Sequence, residues 1–205
     1  VQARLKDMKR KIISITCLLG WITLVEAKEF WLQPDKFILQ PGESLVLGLK
    51  MGENFIGNPW NEGRQAITRL ERQHLGNAID LLPLVKEGDK NPLTIPLRQE
   101  GTHVILMESN ISLEEKEGDR FNEFLKDEGL DEVLAYREKT RTINNPVKEF
   151  YSCHTKLLVQ VGNARDDSYK RPDGFPVEII PEQNPYALRK GDPVRFKIMQ
   201  QGKPL

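Results

Sequence analysis

Apolar and polar residues alternate in short, turn-bounded runs over much of the chain. Ser44-Leu45-Val46-Leu47-Gly48-Leu49-Lys50-Met51 puts Leu45, Leu47, Leu49 and Met51 on one face of a strand, and Pro41-Gly42 just ahead of it marks the turn. Residues 66–72, 91–97 and 101–108 alternate in the same way. Tyr151 to Val161 reads as one further strand, with Leu157, Val159 and Val161 on a common face. Several short strands at this spacing predict an antiparallel β-sandwich.

One segment has a helical period instead. Phe121, Phe124 and Leu125 fall at i, i+3, i+4, and Gly129 stands where a C-terminal cap is needed. Residues 130–137 continue as a second short helix, so a helical insert is expected at about 119–137.

The pattern also repeats itself. Residues 37–49 and 186–198 both read aromatic, x, Leu, x, x, Gly, acid, then an alternating run. Each is expected to be an entry strand with a Gly-acid turn at its rim. This places a β-sandwich domain with the helical insert over 28–175 and the start of a second, truncated β domain over 176–205, because a lone strand cannot bury a face.

Ahead of the first strand, Met8-Lys9-Arg10-Lys11 is followed by an apolar run through Val25 and then Glu26-Ala27. A cationic head, an apolar run shorter than the ~20 residues of a membrane span and compact residues at Val25 and Ala27 match a secretory signal. Residues 1–27 are read as upstream residues plus that signal, which predicts a periplasmic or secreted protein starting at Lys28. Membrane contact is expected only through the uncleaved segment.

Composition narrows the function. The 205 residues carry 30 basic and 30 acidic side chains, and without residues 1–27 the balance is 25 to 28, a formal charge of −3. No basic excess exists to neutralise phosphates, so nucleic acid is not expected as a partner. A single cysteine, Cys153, remains in the expected mature chain, so its fold must rest on a core rather than on disulfides. No phosphate loop, HExxH, GxSxG or dinucleotide fingerprint occurs, and the chain is not expected to be an enzyme.

Two sets of residues could carry binding. Cys153 and His154 are adjacent, and thiolate beside imidazole suits nickel, copper or zinc; His103 and His74 are the other imidazoles that could complete such a site. Neighbouring strand residues point to opposite faces, which favours only one of the Cys153–His154 pair as a direct ligand. Trp31, Phe55 and Trp60 could instead bind carbohydrate or peptide. The Gly57–Gly63 loop is the best surface candidate, since a Trp between turn formers is hard to bury.

Glu29-Phe30-Trp31-Leu32-Gln33-Pro34, Pro41-Gly42-Glu43 and Gly52-Glu53-Asn54-Phe55-Ile56-Gly57 resemble the bacterial envelope family called domain of unknown function 4198. The resemblance runs on in order through residues 121–130, 156–162, 177–181 and 184–188. It implies a secreted, mainly β protein of Ig-like or transthyretin-like sandwich architecture, and an association with nickel-uptake systems. Nickel or another divalent transition metal is then the implied cofactor, and a membrane metal-uptake transporter the implied partner. The chain departs from the family at two places: Lys28 stands where a metal-chelating N-terminal His is usual, and Cys153-His154 follows Tyr151-Ser152 where an Arg is usual. The reading is a noncatalytic binding or accessory protein of the envelope, with a carbohydrate- or peptide-binding module as the alternative.

Overall fold

The computed structural model describes residues 29–88 and 92–205; the apolar run at 12–25, the expected cleavage point and Lys28 lie outside the described residues. The described residues fall into two compact units, a helical one over Glu117–Pro146 and a β body made of the rest.

The strands of the β body are, in chain order, β1 (Glu29–Pro34), β2 (Ile38–Leu39), β3 (Ser44–Glu53), β4 (Ile56–Pro59), β5 (Ile67–His74), β6 (Asn77–Asp80), β7 (Leu93–Pro96), β8 (Gly101–Ser109), β9 (Ser112–Lys116), β10 (Val147–Tyr151), β11 (His154–Val161), β12 (Val177–Pro181), β13 (Phe196–Gln200) and β14 (Lys203–Pro204). The chain is mainly β, as its alternation predicts. One sheet has the order β1-β3-β4, with β7 also pairing to β3. A second has the order β2-β11-β8-β5-β6; within it only the β2–β11 pairing is parallel. Strands β9 and β10 form a separate ribbon, and β12, β13 and β14 a third, smaller sheet.

The core lies between the first two sheets. Leu32, Leu45, Leu47, Leu93 and Ile95 from the first meet Leu39, Leu70, Ile105, Met107, Leu157, Val159 and Val161 from the second in one buried cluster. Leu45 and Leu47 are fully enclosed, while Leu49 and Met51, further along the same face of β3, are partly buried. A face of alternating Leu residues at 0.8 kcal/mol or so per buried CH2 dictates the register, because a one-residue slip would expose all of them.

The outer face of the second sheet is covered by residues 163–186. Val104, Leu106 and Phe175 form a small apolar cluster there. Polar side chains under the same cover are mutually satisfied: Asn184 Nδ2 donates to Thr102 Oγ1 at 2.9 Å, and Thr102 Oγ1 donates to Gln160 Oε1 at 3.1 Å. The Tyr186 hydroxyl donates to Leu158 O at 2.6 Å.

The helical unit holds α1 (Gly118–Asp127) and α2 (Asp131–Lys139), close to the expected spans. Gly129, at φ +68°, ends α1 in the left-handed conformation that a glycine adopts without strain. The Leu130 N–H donates to Leu125 O and the Gly129 N–H to Lys126 O, which is the Schellman pattern and satisfies two terminal carbonyls. Arg137 is buried and closes the unit by donating to Asn122 Oδ1 and to the carbonyls of Ile143 and Asn145.

The internal repeat is visible in its turns. Gly42 and Gly191 have φ of +89° and +99°. The acid after each accepts from the N–H three residues back, Glu43 from Gln40 at 2.9 Å and Asp192 from Arg189 at 2.8 Å. After that the copies diverge. Pro193 stands where Ser44 starts β3, and without an N–H it cannot join a ladder, so β13 begins only at Phe196.

Candidate functional site

Strands β5 and β8 run side by side, and their register places His74 next to His103 at one end of the sandwich. The rings stack with centroids 4.1 Å apart and planes 12° from parallel. His103 Nε2 lies 2.8 Å from Gln99 O and so carries the hydrogen, which leaves Nδ1 buried without a partner. His74 Nδ1 faces Thr102 O at 3.2 Å, with Asp166 Oδ2 at 4.0 Å, and its Nε2 is likewise unpartnered. Burial, with the Gln99 hydrogen bond opposing it and the charges of His74 and Arg72 reinforcing it, pulls the His103 pKa down to about 4. Parallel, stacked rings do not aim their lone pairs at a common point, so the geometry is that of packing rather than of chelation.

Cys153 and His154 lie elsewhere. His154 pairs with Glu108 on β8, whereas His103 pairs with Val159. Five residues of strand separate Glu108 from His103, about 17 Å. The sequence reads Tyr151–Val161 as one strand, but the ladder breaks between β10 and β11. Cys153 sits in that break because Ser109 holds it from both sides: Ser109 Oγ accepts from Cys153 N–H at 2.8 Å and Ser109 N–H donates to Cys153 O at 3.0 Å. Cys153 is half-buried, and burial pushes its thiol pKa up. His154 Nε2 is 2.9 Å from Ser152 Oγ, and its ring meets Phe175 edge-on at 5.3 Å. The structure thus separates the Cys153–His154 pair from His74 and His103. Among the described residues no group of three or more His, Cys, Asp or Glu side chains could hold a metal ion.

Beside His154 lies a charged cluster that no sequence pattern announces. Arg69 donates to Glu108 at 2.7 Å and to Glu71 at 2.6 Å, and also to Asp173 O at 2.8 Å. Lys156 pairs with Asp173, and the Glu178 carboxylate receives the N–H groups of Asp173 and Gly174, each at 2.8 Å. Desolvation raises the Asp173 pKa despite that lysine. The cluster fastens residues 173–178 to the sheet through the Arg69 bond to Asp173 O, the Lys156–Asp173 pair and the Glu178 bonds.

The aromatic candidates also part company. Trp31 and Phe30 are neighbours on β1 and face opposite ways. Trp31 is buried, donates to Gln33 Oε1 at 3.0 Å and meets Phe55 edge-on at 5.8 Å. Phe55 is 76% exposed at the β3–β4 hairpin tip, with φ +60°. Phe30 instead packs edge-on against Trp60 at 5.3 Å. Trp60 is only 8% exposed, contrary to the surface position its turn-rich neighbourhood predicts. The reason lies in the backbone: Pro59 pairs with Lys50, and the Trp60 N–H donates to Leu49 O at 2.9 Å, which draws the ring onto the core.

Trp60 nevertheless reaches a cavity. A cleft of about 370 Å³ opens between the end of β3, the residues after Trp60 and the start of β7, with Leu49, Ile67, Leu84, Val85 and Leu93 on its walls. Arg64 and Lys86 also line it, with Asn61 and Thr94. Gly63, at φ +80°, turns the chain into the 3-10 turn Arg64–Ala66 that places Arg64 there. Sequence reasoning found Trp60 but missed the rest. The available signal was Leu81-Leu82-Pro83-Leu84-Val85, an apolar run with neither helical nor strand period.

A protein-family model described as Domain of unknown function (DUF4198) matches residues 25–205. No curated protein and no solved structure matches the chain.

Proposed function

The chain belongs to the DUF4198 family, and on that premise we propose that it is a noncatalytic binding or accessory module of the bacterial envelope whose ligand occupies the Trp60 cleft. The observation that carries this reading is the cleft itself. Its volume of about 370 Å³ lies in the range of small-molecule sites, and its walls combine apolar side chains with polar ones in comparable measure. The noncatalytic part rests on Cys153, whose thiol is held protonated by burial, and on His154, which is turned to Ser152. Export rests on the basic head and apolar run ahead of Lys28. Association with a metal-uptake transporter rests on the family resemblance, and the geometry favours the small-molecule reading over it.

Thermal-shift and calorimetric titrations of wild type and Thr94→Trp decide between the two. Thr94 is an exposed lining residue, so a Trp there fills the cleft without entering the core. Small ligands should stabilise wild type and leave the variant unmoved. Heat from nickel, cobalt, copper or zinc that disappears in Cys153→Ser or His154→Ala would overturn the cleft reading in favour of a metal site.

A further inference from the structure

We infer that the ligand of this cleft is an anionic amphiphile: a short apolar body carrying a single carboxylate or comparable anionic head. The inference rests on the cleft reading above and adds the chemical class. Its apolar part follows from Trp60, Leu84, Val85 and Leu93, and from Leu84 being 43% exposed in the absence of anything covering it. An apolar side chain left that open on a concave wall gains by contact with another apolar body at about 25 cal/mol per Å².

The head group follows from charge. Among the described residues the two charged ones lining the cleft are both cations, Arg64 and Lys86, and neither has an ion-pair partner there. Two cations on one partly apolar cleft, without a partner among the described residues, select an anion by attraction and reject a cationic ligand by repulsion. Among the described residues no carboxylate lines these walls for a divalent metal. A neutral sugar lacks its usual platform, because the Trp60 ring is almost wholly enclosed and Asn61 and Thr94 are the uncharged polar side chains present. The small volume favours a body of a few carbons over a long acyl chain or a peptide.

The test is calorimetric titration of the 205-residue chain at pH 7.5 with octanoate, 1-octanol and octylammonium, three probes of one length that differ in head-group charge. Octanoate should bind about five- to tenfold more tightly than octanol, the return expected from two partly exposed ion pairs, and octylammonium should not bind. In the Arg64→Gln/Lys86→Gln double variant octanoate should fall to the affinity of octanol, with octanol unchanged. Raising salt should weaken octanoate alone. Equal affinity for octanoate and octanol in wild type would overturn the anionic class and leave the cleft reading standing. No binding of any probe in wild type, while Thr94→Trp also leaves every thermal shift unaltered, would remove both.

Discussion

The buried His103 ring makes stability depend on pH in a window where few other side chains titrate. Its folded pKa of about 4 lies some 2.5 units below the usual 6.5 of histidine, chiefly because burial disfavours the imidazolium. A base with a depressed pKa binds its proton more readily in the unfolded chain. Stability is therefore complete above about pH 6.5 and is lost as pH falls toward 4, where the folded state at last takes up the proton too. The slope approaches 1.4 kcal/mol per pH unit, and the total is about 3 kcal/mol. Glu71, held down by its hydrogen bond from Arg69, loses its contribution only below the ordinary carboxylate range, so it lies outside the window. Asp166 behaves likewise: burial pushes it up, but Ser168 and Thr102 hold it down overall. Asp173, raised by desolvation, acts with the opposite sign and gains stability as pH falls. A difference against a variant cancels these groups. His103→Gln keeps a donor for Gln99 O and cannot titrate. Urea unfolding of both proteins at pH 7.5, 6.5, 5.5 and 4.5, at constant ionic strength, should show wild type losing roughly 2–3 kcal/mol relative to the variant across the series. Parallel curves would refute the reasoning and mean that water or a counter-charge reaches the ring.

Lys156→Met leaves Asp173 and Glu178 facing each other with side-chain exposures of 1% and 3%. It should cost about 3–5 kcal/mol in chemical denaturation, and Lys156→Met/Asp173→Leu should recover most of the loss. Gly57→Ala puts a Cβ 2.3 Å from Met51 O and 2.8 Å from Trp31 Cη2, so it should cost about 1–3 kcal/mol by urea midpoint. Gly48→Ala, where the nearest atom is 3.6 Å away, should cost less than half as much. The raised pKa and half-burial of Cys153 predict that iodoacetamide labels it more slowly at pH 7.5 than it labels the urea-unfolded chain, as followed by intact mass.

Local pattern carried the elements and left their meeting places undetermined. Leu45 and Leu47 are identifiable as core because a strand has period two, and the β3 face needs nothing from outside the segment to be recognised. Gly129 is identifiable as a cap for the same local reason. The sequence places Cys153 in a continuous strand because the residue that breaks the ladder, Ser109, lies on β8 more than forty positions away. The His74–His103 stack depends on β5–β8 register, which no short segment contains. Trp60 shows the same dependence: its own neighbours are turn formers, and only the bond to Leu49 O turns its ring inward. The cleft gathers residues from four separate stretches, and the apolar run at 81–85 that supplies Leu84 and Val85 has no period to mark it.

The most direct test of the central claim is methyl NMR of a Leu/Val-labelled sample during titration with octanoate. The cleft account predicts progressive, saturable shifts in the methyl groups of Leu49, Leu84, Val85 and Leu93, with Leu106 and Leu158 on the far face of the second sheet unmoved. Saturable shifts centred on Leu106 and Leu158, or none at Leu84 and Val85, would contradict it.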